Sequence, residues 1–236
     1  MSFLKAEWRK LAMVNYEIDP SLLAPYLPHG TELDLWNGKC YLSLVGFLFK
    51  NTKLMGVKVP FHSDFEEVNL RFYVKRIVGG ETRRGVVFIK EIVSKPALTV
   101  VANTVYNENY QTMPMRYSWD SDKNSRTVEY CWKKGNEWNG FRVVADLEPE
   151  EMDIGSEEEF ITEHYWGYAK YSSKKTNEYE VTHPRWQHYP VRHYDIFTDY
   201  GATYGSEFKF LNDLIPASVL LSEGSEITVE HKKTIT

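Results

Sequence analysis

Long apolar runs are absent from this chain of 236 residues, and cysteine is scarce. The longest apolar stretch, around residues 41–49, is far shorter than the ~20 residues of a membrane-spanning helix, so we expect no membrane partner. Charged residues among the first fifteen interrupt any signal-peptide apolar region. Only Cys40 and Cys131 are present, both in strand-like runs, and we expect two small buried residues in a reducing compartment, with a disulfide left open. The predicted location is cytoplasmic.

Strongly basic segments and common catalytic motifs are also absent. The net charge is −5 and no Lys/Arg run exceeds a pair, which argues against a nucleic-acid partner. The chain has no phosphate loop, dinucleotide-binding glycine motif or serine nucleophile elbow. His183, His188 and His193 recur every five residues, which puts successive members on opposite faces of a strand. We therefore predict no metal site and no cofactor.

Aromatic residues are abundant, with 16 Tyr, 12 Phe and 7 Trp. Such a content suits strand surfaces and an apolar cavity better than a helical bundle. No repeat or linker divides the sequence, and barrels of this length often form one unit. We therefore predict a single domain over residues 1–236.

Strand-type alternation dominates the chain. Strands are predicted at 39–49, 65–76, 85–93, 115–119, 126–132, 140–146, 166–171, 178–183, 218–222 and 226–231, with Gly79-Gly80 as the break between the second and the third. Short helices are predicted at 20–25, at 97–106 and, after the capping box 156–159, at 160–164. The pattern predicts an α+β fold, predominantly antiparallel β, whose curled, barrel-like sheet surrounds a central cavity with a few short helices.

The strand at residues 65–74 is the most informative segment. Alternation puts its apolar side chains on one face and Glu67, Asn69, Arg71 and Tyr73 on the other. A solvated outer face would explain this pattern. A polar face that points into a cavity would also explain it, and each polar group would then need a partner or ligand. The mixture of acid, amide, guanidinium and phenol favours the cavity.

Two histidines form a second candidate group. If strands 165–171 and 178–183 pair as a hairpin, His164 and His183 lie near the same end. A histidine there could act as an acid, a base or a ligand, because its pKa lies near neutrality. The alternative is a hydrogen-bonded packing residue among aromatic neighbours.

Several motifs are distinctive in combination: the run 11–34 with Asp19-Pro20 and Leu27-Pro28-His29-Gly30, the strand 65–74, and the pair His164-Tyr165-Trp166-Gly167 and His183-Pro184-x-Trp186. Together they resemble the YqjF-like family of uncharacterised conserved proteins. This resemblance covers most of the chain. The family is grouped with the acetoacetate decarboxylase-like superfamily, so the resemblance implies a cone-shaped β barrel around an apolar cavity. It supplies no reaction, because the family carries a domain of unknown function.

The true decarboxylases form a Schiff base through a lysine in a Pro-Lys-Lys motif, with a glutamate on an earlier strand. Glu67 resembles that glutamate, and residues 111–116 fall where Pro-Lys-Lys would lie. The chain keeps Pro114 and one cation there but has Met115 at the place of the nucleophile, and no lysine lies between Lys95 and Lys123. Because a thioether cannot form an imine, we do not expect Schiff-base decarboxylation.

Two functions remain open. The first is an enzyme acting on a small organic acid or carbonyl compound. The catalytic candidates are Glu67 and His164, and the candidate substrate-binding residues are Asn69, Arg71, Tyr73, Tyr106, Arg116, Trp166 and His183. The second is a non-catalytic protein that binds a small molecule, which the aromatic content and the missing nucleophile favour. Both readings predict a small-molecule ligand, and a homo-oligomer is left open.

Overall fold

Strands dominate the chain, which a computed structural model describes from residue 2 to residue 236. In chain order the first eight strands are β1 (Leu4–Ile18), β2 (Glu32–Leu33), β3 (Cys40–Leu54), β4 (Val57–Lys58), β5 (Phe65–Val78), β6 (Glu81–Val93), β7 (Tyr110–Thr112) and β8 (Met115–Ser121). They are followed by β9 (Arg126–Lys134), β10 (Glu137–Ala145), β11 (Glu150–Glu151), β12 (Trp166–Ser172), β13 (Lys175–Thr182), β14 (Gln187–His188), β15 (Val191–Ile196), β16 (Ser218–Val229) and β17 (Lys233–Ile235). The short helices are α1 (Pro96–Val105), α2 (Glu157–Thr162), α3 (Tyr200–Tyr204) and the 3-10 helices Pro20–Tyr26 and Ser206–Asn212. None of the helices within residues 2–236 is long and apolar enough to cross a bilayer.

Seven of these strands close into a ring in the order β16, β1, β3, β5, β6, β12, β13 and back to β16. Every pairing in the ring is antiparallel except that of β6 with β12. The β6–β12 and β13–β16 pairings each join only two residue pairs, so the β12–β13 hairpin is attached at two short seams. The predicted fold, with a curled and mainly antiparallel sheet and few helices, is confirmed.

The two faces of the ring have different partners. On β5, alternation directs Val68, Leu70, Phe72 and Val74 outward. They belong to an apolar cluster that contains Tyr130, Trp132 and Phe141 of a second sheet, whose strand order is β15-β10-β9-β8. At Gly46 of β3, a Cβ atom would lie 2.6 Å from the Tyr130 ring, so glycine is needed where this sheet approaches the ring.

The interior of the ring is partly filled by a separate apolar cluster that includes Phe47, Phe49 and Phe65. Phe160 and Ile161 of α2 also belong to this cluster. Half of the capping box that predicts α2 is present, because Ser156 Oγ accepts a hydrogen bond from Glu159 N at 3.1 Å. The Glu159 side chain accepts from Gly155 N, while Ser156 N donates to Asp153 O. The two cysteines are buried free thiols.

Several elements differ from the predictions. Strand β1 was not predicted, because its second half is buried on both faces and a bulge at Lys10, with φ of 54°, interrupts its alternation. The predicted strands 218–222 and 226–231 form the single strand β16. Gly224 lets β16 continue, since its φ of 81° and its close approach to Trp8 O exclude a side chain. Helix α3, the 3-10 helix Ser206–Asn212, strand β15 and the short strands β2, β4, β7, β11, β14 and β17 were also not predicted.

Candidate functional site

A cavity of about 230 Å³ lies inside the ring. It is larger than the ~150 Å³ of a site that holds benzene and smaller than the roughly 300–1,000 Å³ of a drug-sized pocket. Its apolar wall consists mainly of aromatic rings, among them Trp8, Phe47, Phe49, Phe65, Phe88 and Trp186. Helix α1 closes part of the wall with Ala97, Leu98, Val101 and Ala102. The volume fits a small metabolite.

The polar face of β5 points into this cavity. Glu67, Asn69 and Arg71 line it and are 2%, 1% and 8% exposed. Opposite them, a β-bulge between Leu70 and Arg71 shifts the pairing with β6, so that Glu91 faces Asn69 and Phe88 faces Arg71. Both of these β6 side chains also line the cavity.

Tyr73 continues the same face but does not line the cavity. Its ring packs against Phe160 and His164, with centroid distances of 5.5 and 4.7 Å. Its hydroxyl donates a hydrogen bond to Ser43 Oγ at 2.8 Å. The predicted substrate-binding residue Tyr73 is therefore found in the packed part of the ring interior, where it supports His164.

Three carboxyl groups and two phenols meet on one side of the cavity, and we call them the carboxyl–phenol cluster: Glu67, Glu91, Glu108, Tyr110 and Tyr179. Tyr110 donates a hydrogen bond to Glu67 Oε2 at 3.0 Å, and Tyr179 donates one to Glu108 Oε1 at 2.7 Å. Asn69 Nδ2 donates to the other oxygen of Glu67, Oε1, at 3.0 Å.

Burial changes the protonation of this cluster. Desolvation raises the pKa of Glu67 to about 7, against the opposing effects of its hydrogen bonds from Asn69 and Tyr110 and of the Arg71 charge. Desolvation also raises the pKa of Glu108 to about 7, and the neighbouring Glu67 adds to this. The pKa of Glu91 is raised well above its ordinary value by desolvation and by both other carboxylates. The cluster therefore retains protons near neutral pH.

Arg71 is a buried cation without a carboxylate partner. Of the ten arginines, eight form ion pairs, which leaves Arg71 and Arg116 unpaired within residues 2–236. The Nε atom of Arg71 is buried and has no hydrogen-bond acceptor in this part of the chain. Its guanidinium carbon lies 5.7 Å from the centroid of the Tyr73 ring. An anionic ligand in the cavity would supply the missing partner.

His164 has one buried ring nitrogen, Nδ1, without a hydrogen-bond partner in the described part of the chain. Its Nε2 lies 3.2 Å from Asp34 Oδ2, and Arg84 Nε donates to the same oxygen at 2.6 Å. Because a carboxylate only accepts, Nε2 carries the proton and Nδ1 is the acceptor. Nδ1 is buried, and no donor among residues 2–236 reaches it. Desolvation lowers the pKa of His164 to about 4, although Asp34 opposes this shift.

The other predicted residues of this region also line the cavity. The His183 ring stacks on Trp186 with centroids 4.2 Å apart, and the predicted β12–β13 hairpin brings it near His164. Desolvation lowers the pKa of His183. The guanidinium carbon of Arg83 lies 4.3 Å from the centroid of the Trp166 ring. The Tyr106 hydroxyl donates a hydrogen bond to Glu230 O at 3.1 Å. All three contribute to the wall.

The structure corrects the placement of Arg116. This residue is exposed on β8 of the second sheet, where its guanidinium lies 4.4 Å from the centroid of Trp138. Met115 lies beside it, outside the cavity. The chain leaves the ring after β7, and Pro114 stands at the point of departure. No lysine is found among the described residues that line the cavity.

Sequence reasoning missed four acidic and phenolic residues of the cavity wall, Glu91, Glu108, Tyr110 and Tyr179. A glutamate inside the largely apolar strand 85–93 was a usable signal for Glu91, since strand pairing places it opposite Asn69. The other three had no such signal, because the fold of the α1–β7 segment and of β13 brings them together. Within residues 2–236, no group of three His, Cys, Asp or Glu residues is arranged to hold a metal ion.

Comparison with known proteins identifies relatives in sequence and in fold. The profile of DUF2071, described as "Uncharacterized conserved protein", matches residues 5–226. The "Uncharacterized protein YqjF" of Bacillus subtilis (strain 168) is 25% identical over 189 residues, which are 78% of this chain and 74% of that protein.

Solved structures share the fold at low sequence identity. Acetoacetate decarboxylase from Legionella pneumophila has a TM-score of 0.67 and 12% identity, covering 99% of this chain and 87% of that one. An acetoacetate decarboxylase-like enzyme from Sphingomonas wittichii RW1 has a TM-score of 0.66 and 11% identity, covering 100% and 94%. The enduracididine biosynthesis enzyme MppR complexed with pyruvate has a TM-score of 0.67 and 12% identity, covering 100% and 91%. The chain therefore has the acetoacetate decarboxylase-like fold.

Proposed function

This chain belongs to the DUF2071 family of uncharacterized conserved proteins, and we propose that it is an enzyme acting on a small organic acid or carbonyl compound in the cavity of the ring. Arg71 binds the anionic group of the substrate, and Glu67 transfers a proton. Asn69 and His164 orient the bound molecule. No lysine takes part, so the proposed chemistry is acid–base and not covalent.

The unpaired guanidinium of Arg71 is the observation that carries this proposal. A charge that is removed from water without a partner costs several kcal/mol, so a fold retains it where a ligand completes the pair. The planar guanidinium suits a carboxylate, which can accept two parallel hydrogen bonds. The cavity volume of about 230 Å³ limits the substrate to a small acid.

Glu67 is the best-placed acid or base. A general acid–base group works best when its pKa lies near the working pH, and burial brings Glu67 to about 7. It is two residues from Asn69 and four from Arg71 on the same face of β5, so a bound acid would lie along this face. Abstraction of a proton from carbon next to a carbonyl is a reaction that such a carboxylate performs.

The structural relatives support this substrate class. One neighbour of the same fold is described in complex with pyruvate, which is both a carboxylate and a carbonyl compound, and others are acetoacetate decarboxylases. Because their sequence identity to this chain is low, the reaction is inferred from the residues of this chain and not from theirs.

The proposal is tested by binding and by proton exchange. Short 2-oxo and 3-oxo acids are titrated calorimetrically into wild type, Arg71→Met and Arg116→Met. Loss of a charge-assisted hydrogen bond of about 1.5–3 kcal/mol should weaken binding to Arg71→Met by roughly 10- to 100-fold. Arg116→Met, which also removes an arginine without an ion pair but outside the cavity, should bind like wild type. Equal affinity of Arg71→Met and wild type for every acid would refute the anion site.

Catalysis is measured by proton NMR in deuterated water, as the loss of the C–H signals next to the carbonyl of each bound acid. We expect Glu67→Gln to exchange about 10²–10⁴-fold more slowly than wild type, the usual contribution of a general acid–base group. Exchange that is unchanged in Glu67→Gln would exclude this role.

The second candidate function is a non-catalytic binding protein. The absence of a lysine from the described cavity wall and the predominance of aromatic side chains there favour it. The same two experiments separate the functions, because a binding protein would show Arg71-dependent affinity and no exchange above the rate in buffer.

A further inference from the structure

Two buried acceptors without donors lie side by side in the cavity wall. Asn69 Oδ1 and Glu91 Oε2 belong to directly paired residues of β5 and β6, which are 1% and 2% exposed. No donor among residues 2–236 reaches either atom. The orientation of the Asn69 amide is fixed by its Nδ2, which donates to Glu67. A buried acceptor without a donor costs about 1–3 kcal/mol, and within the described residues of the free protein the only proton available to this pair is the one that Glu91 itself retains.

The cavity wall has more acidic than basic side chains, which also favours a cationic group on the ligand. Glu67, Glu91 and Glu108 line it together with a single arginine, Arg71. Of the three histidines in the wall, His164 and His183 do not compensate, because desolvation lowers the pKa of both. The third, His62, is partly exposed and its Nδ1 lies 2.9 Å from Pro60 O. In the free protein, protons retained by the carboxyl–phenol cluster reduce this charge. A cationic group of a ligand would replace such a proton and supply donors at the same time.

We propose that the natural ligand carries a protonated amine as well as a carboxylate, and is therefore an amino acid or a close analogue with an apolar side chain. The ammonium group binds Asn69 Oδ1 and Glu91 Oε2, and the carboxylate binds Arg71. This inference rests on the proposed function for the binding of the carboxylate at Arg71, which we call the carboxylate half. It adds the binding of the ammonium group at Asn69 and Glu91, which we call the amine half.

The spacing of the wall fits such a bipolar molecule. Asn69 and Arg71 are two residues apart on the inward face of β5, which separates their Cα atoms by about 6.6 Å. An ammonium group has three donors, enough for both orphan acceptors. The aromatic wall, with Phe88 opposite Arg71, accommodates the apolar side chain.

Three probes that share a phenylethyl group test the inference by calorimetry. Phenylalanine carries both charges, 3-phenylpropanoate only the carboxylate, and 2-phenylethylamine only the amine. We expect wild type to bind phenylalanine at least about tenfold more tightly than either other probe, as an additional charge-assisted hydrogen bond predicts. This comparison needs no variant.

Variants then assign each half. Glu91→Gln removes the charge and should reduce the ratio of phenylalanine to 3-phenylpropanoate affinity to near one, while leaving the affinity for 3-phenylpropanoate within about threefold. Glu66→Gln is the matched control, because Glu66 lies on the opposite face of β5 and does not line the cavity. Arg71→Met should weaken the binding of both carboxylates and leave 2-phenylethylamine unchanged.

The failures of the two proposals are distinguishable. Arg71-dependent binding of 3-phenylpropanoate, with phenylalanine equal or weaker, would overturn the amine half and leave the proposed function in place. Binding of 2-phenylethylamine without binding of any carboxylate would overturn the bipolar ligand and contradict the proposed function as well. Unchanged selectivity in a folded Glu91→Gln protein would remove Glu91 from the site.

Discussion

The unpaired Arg71 has a consequence for stability as well as for binding. A buried charge without a partner destabilises the free protein, and its replacement by an apolar side chain of similar length removes that cost. We expect Arg71→Met to raise the free energy of unfolding at neutral pH by about 1 kcal/mol or more, although the same change weakens ligand binding. Urea unfolding without ligand measures this, with the exposed Arg116→Met expected within about 0.5 kcal/mol of wild type. A marked loss of stability in Arg71→Met would mean that its charge is already compensated.

Glu67 makes a separate prediction about pH. Its pKa is about 7 in the folded protein and 4.5 ordinarily, so the folded state holds a proton that the unfolded state has released between these values. The contribution of Glu67 to stability is thus present below about pH 4.5 and is lost as pH rises through about 7. Relative to Glu67→Gln, wild type should lose on the order of 1–3 kcal/mol between pH 4.5 and pH 8. Urea unfolding across this range checks it, with the exposed Glu137→Gln as control, and parallel curves for wild type and Glu67→Gln would contradict the raised pKa.

The elements of the fold were predictable where their pattern was local. The strand at 65–76 follows from alternation and from the glycine pair 79–80 beyond its end, and the hairpin of β12 and β13 follows from two strand-like runs with a short gap between them. Strand β1 does not, because residues in its second half are buried on both faces and so lack alternation. The closure of the ring through β13 and β16 depends on contacts between residues about fifty positions apart, which no local pattern contains.

The candidate site divides in the same way. Alternation in the sequence places Glu67, Asn69 and Arg71 on one face of β5. It does not show that this face points into the cavity. Arg116 was misplaced because a resemblance over six residues does not show where the chain leaves the ring. Glu108 and Tyr179 meet only through long-range packing, as their hydrogen bond at 2.7 Å connects the segment after α1 with β13.

The β12–β13 hairpin depends on a glycine at the cavity wall. Gly167 is paired with Tyr179, and a Cβ atom at Gly167 would lie 2.1 Å from the Tyr179 ring. We expect Gly167→Ala to displace this ring, break its hydrogen bond to Glu108 and cost about 1–3 kcal/mol, the usual cost of overpacking. In a Tyr179→Ala background the same substitution should cost much less, and the double-mutant cycle measures the difference. An additive cycle would show that the ring is not the obstacle.

At the scale of the whole molecule, the number of paired residues between neighbouring strands varies around the ring. Strands β1, β3 and β5 pair over 8 to 12 residue pairs with their neighbours in this part of the sheet, whereas β12 and β13 join the rest of the ring through two residue pairs at each seam. Three residues at these seams also line the cavity: Trp166, Gly167 and Val181. The weakest closure of the ring therefore coincides with the proposed ligand site.

This arrangement predicts where the molecule opens. Regions with few fixing contacts open with a lower free energy than the global one, so amides of β12 and β13 should exchange hydrogen faster than those of β3 and β5. A ligand that binds only the closed ring should slow this exchange, by a factor that approaches 1 + [L]/Kd. Hydrogen–deuterium exchange with mass spectrometry, in the presence and absence of a bound small acid, measures both effects, and Arg71→Met should lose the ligand-dependent protection. Uniform exchange over all seven strands would mean that the short seams do not limit the closure, and the ligand would then enter by another route, such as past the half-exposed helix α1.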